Sequence, residues 1–273
     1  MIKTILVHLL PDRESDERVK SVLPLARALG AHVSGVYTIE PYAMPAVSVG
    51  RSASGTFLAE MRHMAERKAS ECERTFSQVC SAAGVAADWR AERGPAVEML
   101  AQRMHYADLA VVGQSAPRSL EEAFIGYPPD HLAMLADGPV IIVPSGFAGP
   151  IKAERILLGW KPCREAGRAV RDALPLLARA KVTVLSVGAT PTPHDSAREL
   201  QQRLKRLGIS AEVLDSPRHD DDAATVIEHI ITDQKSDMLV MGAYSRSRWR
   251  EILLGGVTQR MLSQTNIPVL MAR

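Results

Sequence analysis

Asp108, Gly113, Gly126 and Pro139 recur 129 residues later as Asp237, Gly242, Gly255 and Pro268, and the pairs Val97/Val226 and Glu122/Glu251 obey the same shift. A match that spans several elements means one fold written twice. The period is too long for a solenoid repeat and is the size of a domain. Two domains are therefore expected, at 1–146 and 151–273, and a hydrophobic content of 46% is enough to give each a core. The stretch from Pro144 to Pro150 mixes turn formers without periodicity and reads as the linker.

Ile5 to Leu9 and Ile156 to Trp160 are short apolar runs, each followed by a proline-containing turn and a helical pattern. Val19, Val22, Leu23, Leu25, Ala26 and Leu29 form the first helix stripe, ended by Gly30; Ala169, Val170, Ala173, Leu174, Leu176 and Leu177 form its counterpart. Strands follow at Val33 to Ile39 and Val182 to Val187, then near Val85 to Arg90 and Ser210 to Leu214. Helices are expected near Ala96 to His105 and Ala223 to Asp233, and fourth strands at Asp108 to Gly113 and Asp237 to Gly242. The first strands are offset by 151 rather than 129, so the first half carries 22 extra residues. They fall in a Pro/Gly/Ser-rich stretch at 41–60 and a lengthened helix over roughly Phe57 to Ala83, a region that reads as a surface loop or a lid. Continuous apolar strands separated by helices give a parallel sheet covered on both faces: α/β, doubly wound, twice, with five mostly parallel strands per domain.

Composition narrows the partners. A net charge of +2 creates no field that favours nucleic acid, and 4% aromatic residues leave few stacking platforms for single strands. The three cysteines, Cys72, Cys80 and Cys163, form no metal-ligand or disulfide pattern and fit a reducing cytoplasm. No apolar run reaches membrane-spanning length, and the first residues read as a buried strand rather than a signal peptide. The eight histidines are scattered, with no nucleophile–base motif around them, so no catalytic residue is assigned. The run His219 to Asp222 reads as a helix cap rather than a metal site.

In an open parallel sheet ligands bind outside the carboxyl ends of the strands, where the strand order reverses. The relevant loop in the second half runs from Gly242 through Ser245 to Gly255, Gly256, Val257 and Thr258, where a helix begins. Glycines after a strand and before a helix start let backbone amides face an anion, and Arg246, Arg248 and Arg250 add positive charge. The spacing alone is equally that of a strand end and a turn into a helix.

The stretch Asp237 to Gly242, the loop Glu251 to Thr258 and the strand Ile267 to Leu270 resemble the universal stress protein family, and the resemblance covers both halves. It implies an adenine-nucleotide alpha-hydrolase-like fold. Its nucleotide-binding branch carries glycine, two residues, glycine, nine residues, then glycine and a hydroxyl residue. Gly242 and Gly255 match, while Ser245 stands for the second glycine and Gly256 for the hydroxyl. The resemblance implies ATP or another adenine nucleotide, with Mg²⁺, held by Gly242, Ser245, Gly255, Gly256 and Val257, with Thr258 beside them and Val187 near the base. Where the family has an acidic residue after the first strand, this chain has Lys161 and, in the first half, Leu10. Lysine donates but cannot accept from a ribose hydroxyl. In the first half Ala116 and Tyr127 replace the second glycine and the hydroxyl, and Pro128 and Pro129 remove amides, so that half is read as degenerate. The resemblance also implies that the last strands, Val140 to Val143 and Val269 to Met271, pair within the chain as a pseudo-dimer, with a homodimer using other surfaces. Two alternatives stay open beside a nucleotide-binding stress protein: an interaction protein that binds no nucleotide, and a slow ATP-hydrolysing enzyme.

Overall fold

A computed structural model of the chain describes residues 1–10, 13–39, 55–114, 128–188, 196–216, 223–243 and 257–273. The first half runs β1 (Thr4–Leu9), α1 (Arg13–Leu29), β2 (His32–Ile39), α2 (Gly55–Ala82), β3 (Ala87–Arg93), α3 (Ala96–Met104), β4 (Leu109–Gly113), α4 (Pro128–Leu135) and β5 (Val140–Val143). The second half runs β6 (Arg155–Gly159), α5 (Arg164–Leu177), β7 (Lys181–Val187), α6 (Ser196–Arg206), β8 (Ala211–Ser216), α7 (Ala223–Asp233), β9 (Met238–Gly242), α8 (Val257–Gln264) and β10 (Val269–Ala272).

The ten strands among the described residues join one sheet, ordered β3-β2-β1-β4-β5-β10-β9-β6-β7-β8. Neighbours are parallel within each half, whereas β5 and β10 meet antiparallel at the centre. Ile141 faces Leu270, which is its own equivalent 129 residues on, so the pseudo-twofold axis passes through that pair. Each half thereby covers the edge the other would expose. The pairing within one chain agrees with the expected pseudo-dimer.

Alternation along the strands builds two cores that each cross this axis. Ile5, Val7, Val111, Ile141, Leu158, Val240 and Leu270 pack on the face covered by α1, α2, α5 and α6. Leu6, Ala110, Val112, Ile142, Leu157, Leu239 and Met271 pack on the face of α3, α4, α7 and α8. The lengthened α2 adds an aromatic group of its own, with Trp89 lying 5.6 Å from the Phe76 ring and 5.8 Å from Tyr37.

The repeated aspartates act on the strand starts. Asp108 Oδ2 accepts from the Lys3 and Thr4 amides at 2.7 and 2.9 Å, and Asp237 Oδ1 accepts from Glu154 and Arg155 at 3.0 and 3.1 Å. Burial raises the Asp237 carboxyl above its ordinary pKa, against the pull of the Arg155 and Glu154 amides. The repeated prolines close the other side of the same strands, since the carbonyls of Pro139 and Pro268 accept from Ala110 and Leu239, both at 3.0 Å.

Element boundaries follow the sequence reading with one informative shift. Strand β3 begins at Ala87, two residues after Val85, because the Val85 amide closes onto the Cys80 carbonyl and Gly84 takes φ +65° as α2 ends. Gly30, at φ +59°, ends α1 in the same manner. Among the described residues no helix is long and apolar enough to cross a membrane.

Candidate functional site

The strand order reverses between β1 and β4 in the first half and between β6 and β9 in the second, which places a crevice at the carboxyl ends of each pair. The two crevices are lined differently. In the first, His8 Nε2 lies 2.9 Å from Thr38 Oγ1, and both side chains are buried. Arg18, only 5% exposed, projects from α1 and donates from Nη1 to the His8 carbonyl at 2.5 Å. Ser15, fully buried, accepts from the Leu10 amide at 2.8 Å and lies 3.5 Å from the same guanidinium nitrogen. The guanidinium covers the end of β4: a Cβ on Gly113 would overlap Arg18 Nη2 and stand 2.7 Å from Cζ.

Strand register aligns these residues with Gly159, Val187, Ala166 and Ala169 in the second half. Every polar side chain of the first crevice has become small or apolar. Without a long side chain at Ala169, α5 settles onto β9. A Cβ on Gly242 would lie 2.5 Å from the Ala166 amide nitrogen and 2.7 Å from the Glu165 carbonyl carbon. Gly242 is therefore demanded by backbone packing. Gly159 is different, because a Cβ there would meet Met241 Cβ at an ordinary 3.6 Å. The end of β6 thus has room for a Cβ at the place where His8 stands in the other half.

The helices after the two loops are equally long and begin 129 residues apart, α4 at Pro128 and α8 at Val257. Two prolines open the first and remove its first two amide donors, whereas Val257 and Thr258 open the second and keep theirs. Thr258 is buried, Val257 half-buried and Val187 half-buried at the end of β7. Lys161 is exposed, and its carbonyl accepts from the Cys163 amide at 2.7 Å in the turn that starts α5. Beside that turn, Trp160 donates from its indole nitrogen to Ser196 Oγ at 3.3 Å. Ser245, Gly255, Gly256, Gly126, Tyr127, the run 219–222 and residues 41–54 lie outside the described residues.

Several residues that shape these crevices escape a motif search. Arg18 sits in the apolar stripe of α1, and only its alignment with Ala169 marks it as exceptional. Gln114, directly after β4, bridges the halves: its side-chain nitrogen donates to the Leu262 carbonyl in the last turn of α8, and its oxygen accepts from the Ser145 amide at 2.9 Å. No sequence pattern signals that bracket, because Gln114 and its two partners lie on three separate segments. Cys80 is buried, and that burial pushes its thiol up to about 11, away from any reactive role.

Known proteins give this geometry its context. The model of the universal stress protein family matches residues 1–144 and again residues 152–273. A universal stress protein from Synechocystis sp. is 27% identical over 138 residues, which cover 50% of this chain and 47% of that protein, about half its length. A solved universal stress protein from Archaeoglobus fulgidus has 14% identity and a TM-score of 0.76, covering 99% of this chain and 96% of its own. A functionally unknown protein from Pseudomonas aeruginosa has 17% identity and a TM-score of 0.55, covering 98% of this chain and 92% of its own. These two structural likenesses speak for the fold. With its sequence matched in both halves, the chain belongs to the universal stress protein family.

Proposed function

We propose that this universal stress protein is a stress-response protein of the cytoplasm that binds an adenine nucleotide in its second domain, residues 151–273, while the first, residues 1–146, is a structural partner. The observation that carries this reading is the contrast at the two switch points. The second crevice keeps the side-chain-free strand end at Gly159 and an amide-bearing start to α8; the first holds His8 and Arg18 and opens α4 with two prolines. A helix start with free amides suits an anionic phosphate.

In this reading the phosphates face Gly255, Gly256 and the Val257 amide, with Mg²⁺ as their counter-ion, and the base lies toward Val187. The hydroxyl of Thr258 and the ammonium of Lys161 flank them. Because the backbone of α5 covers Gly242, that glycine shapes the strand end and the start of α8 provides the phosphate contact. By the family resemblance Ser245 stands beside them, in the place of the second glycine.

Isothermal titration with AMP, ADP and ATP, each with Mg²⁺, tests the proposal. Saturable heat is expected with at least one of them. Gly159→His, which installs the first half's residue, is expected to weaken binding at least tenfold while the circular dichroism spectrum stays unchanged. Absence of heat with all three nucleotides would leave the interaction-protein reading in its place.

A further inference from the structure

A second concavity lies at the opposite edge of the first-half sheet, at the amino-terminal ends of β1, β2 and β3. It encloses about 310 Å³ and is bounded by Leu6, Asp88, Arg90, Arg103, Tyr106 and Ala107, with the hydroxyls of Thr4 and Ser34 beside them. That volume is at the small end of organic ligand sites. Strand alternation directs Leu6, Asp88 and Arg90 to the face covered by α3, whose last turn and exit supply Arg103, Tyr106 and Ala107.

Its hydrogen-bonding capacity is one-sided. Asp88 is already engaged, with His32 Nε2 at 2.6 Å from Oδ1 and Arg90 Nε at 3.4 Å from Oδ2. Arg103 gives one nitrogen to Glu92. The terminal nitrogens of Arg90, the remaining donors of Arg103 and the Tyr106 hydroxyl make no hydrogen bond among the described residues. Acceptors are used and donors remain. Arg90 and Arg103 each keep donors beyond those given to Asp88 and Glu92, so the concavity calls for a ligand that brings acceptor oxygens.

The repeat separates scaffold from added chemistry. Register places Lys181 and Glu212 where His32 and Asp88 stand, and they too form an ion pair, at 3.5 Å. The pair across the strand starts is thus common to both halves. By the same alignment Leu214 and Thr232 occupy the places of Arg90 and Arg103. Both guanidinium groups belong to the first half alone.

We infer that this concavity binds a small organic oxoanion, a carboxylate or a phosphate monoester, through the guanidinium groups of Arg90 and Arg103, with its apolar part on Leu6, Ala107 and the Tyr106 ring. A planar guanidinium matches the two oxygens of such a group. The inference is independent of the nucleotide reading, since the two sites lie at opposite ends of the strands.

The test is an amide nuclear magnetic resonance titration of the full chain with benzoate and, separately, phenyl phosphate. Saturable shifts are expected at Asp88, Tyr106 and Ala107, larger with whichever oxoanion the site prefers. Arg90→Ala, at an exposed position, is expected to leave the melting temperature unchanged and weaken binding at least fivefold; Arg90→Lys recovers only part of that loss. Arg103→Ala gives the same direction, with Arg90→Ala as the control against a change in fold. No saturable shift with either probe, or equal affinity in Arg90→Ala, would overturn the inference.

Discussion

The ends of β4 and β9 carry the same glycine for different reasons. At Gly113 the space above the Cα is filled by the guanidinium of Arg18, a side chain that reaches in from α1. At Gly242 it is filled by the main chain of α5 itself, at Glu165 and Ala166. One substitution between the copies, arginine at 18 against alanine at 169, decides whether a helix stands off its strand on a buried polar side chain or lies directly on it. A repeated residue therefore certifies a repeated backbone without certifying a repeated role.

The contrast makes its largest demand on alanine substitutions at the two glycines. Gly242→Ala pushes a methyl into main chain that cannot move alone and is expected to cost about 3 kcal/mol; Gly113→Ala meets a side chain that can rotate away and should cost about 1 kcal/mol. Urea midpoints measure both, and equal costs would break the comparison. A double-mutant cycle sharpens it. Arg18→Ala loses a buried charge-assisted hydrogen bond worth about 2 kcal/mol, and in that background Gly113→Ala should cost nothing further. Additive losses would mean that the guanidinium is not what makes position 113 a glycine.

A smaller effect is expected at Gln114, whose bracket runs from the first half to the second. Gln114→Ala leaves the Leu262 carbonyl and the Ser145 amide to water, at about 1 kcal/mol. Hydrogen exchange should quicken in α8, in the half that was not mutated. A loss confined to the first half would contradict the bracket.

The smallest effects are in pH dependence, and they carry opposite signs in the two halves. Burial raises the Asp237 carboxyl, so the folded chain retains a proton that the unfolded chain has released. Stability therefore falls as pH rises from the ordinary aspartate value through the raised one, and Asp237→Asn should remove that fall. At Asp88, burial pushes the carboxyl up, but the hydrogen bonds from His32 and Ser34 and the charges of His32 and Arg90 outweigh it and leave it low. Its contribution is present above the ordinary value and is lost as pH falls through the lowered one. Asp88→Asn should flatten the acid limb, a change reduced by salt because both partners are partly exposed. Denaturation midpoints between pH 3 and 6 read both, each set against its asparagine variant; that window is chosen around the ordinary aspartate value of about 4.

Much of this molecule was legible in advance. The 129-residue offset and the runs of apolar strand residues gave the doubly wound halves, and the helix Ala223–Asp233 has the bounds expected of it. The crevice residues were harder to read. Lys161 follows β6 and Val187 ends β7, yet Arg18, Thr38 and Gln114 carry no motif. Their importance depends on what they meet across the sheet, and spacing along the chain does not report that.

Sequence alone determined that the fold occurs twice, because hydrophobic periodicity and turn residues act locally and repeat wherever they are copied. It also exposed the loss of amides at Pro128 and Pro129, a covalent property of proline. Only the tertiary structure decided how the two halves use their crevices. Whether a glycine is covered by a guanidinium, by a helix backbone or by neighbours at ordinary contact distance is a matter of a few ångströms between segments distant in the chain, and close packing turns those ångströms into different chemistry.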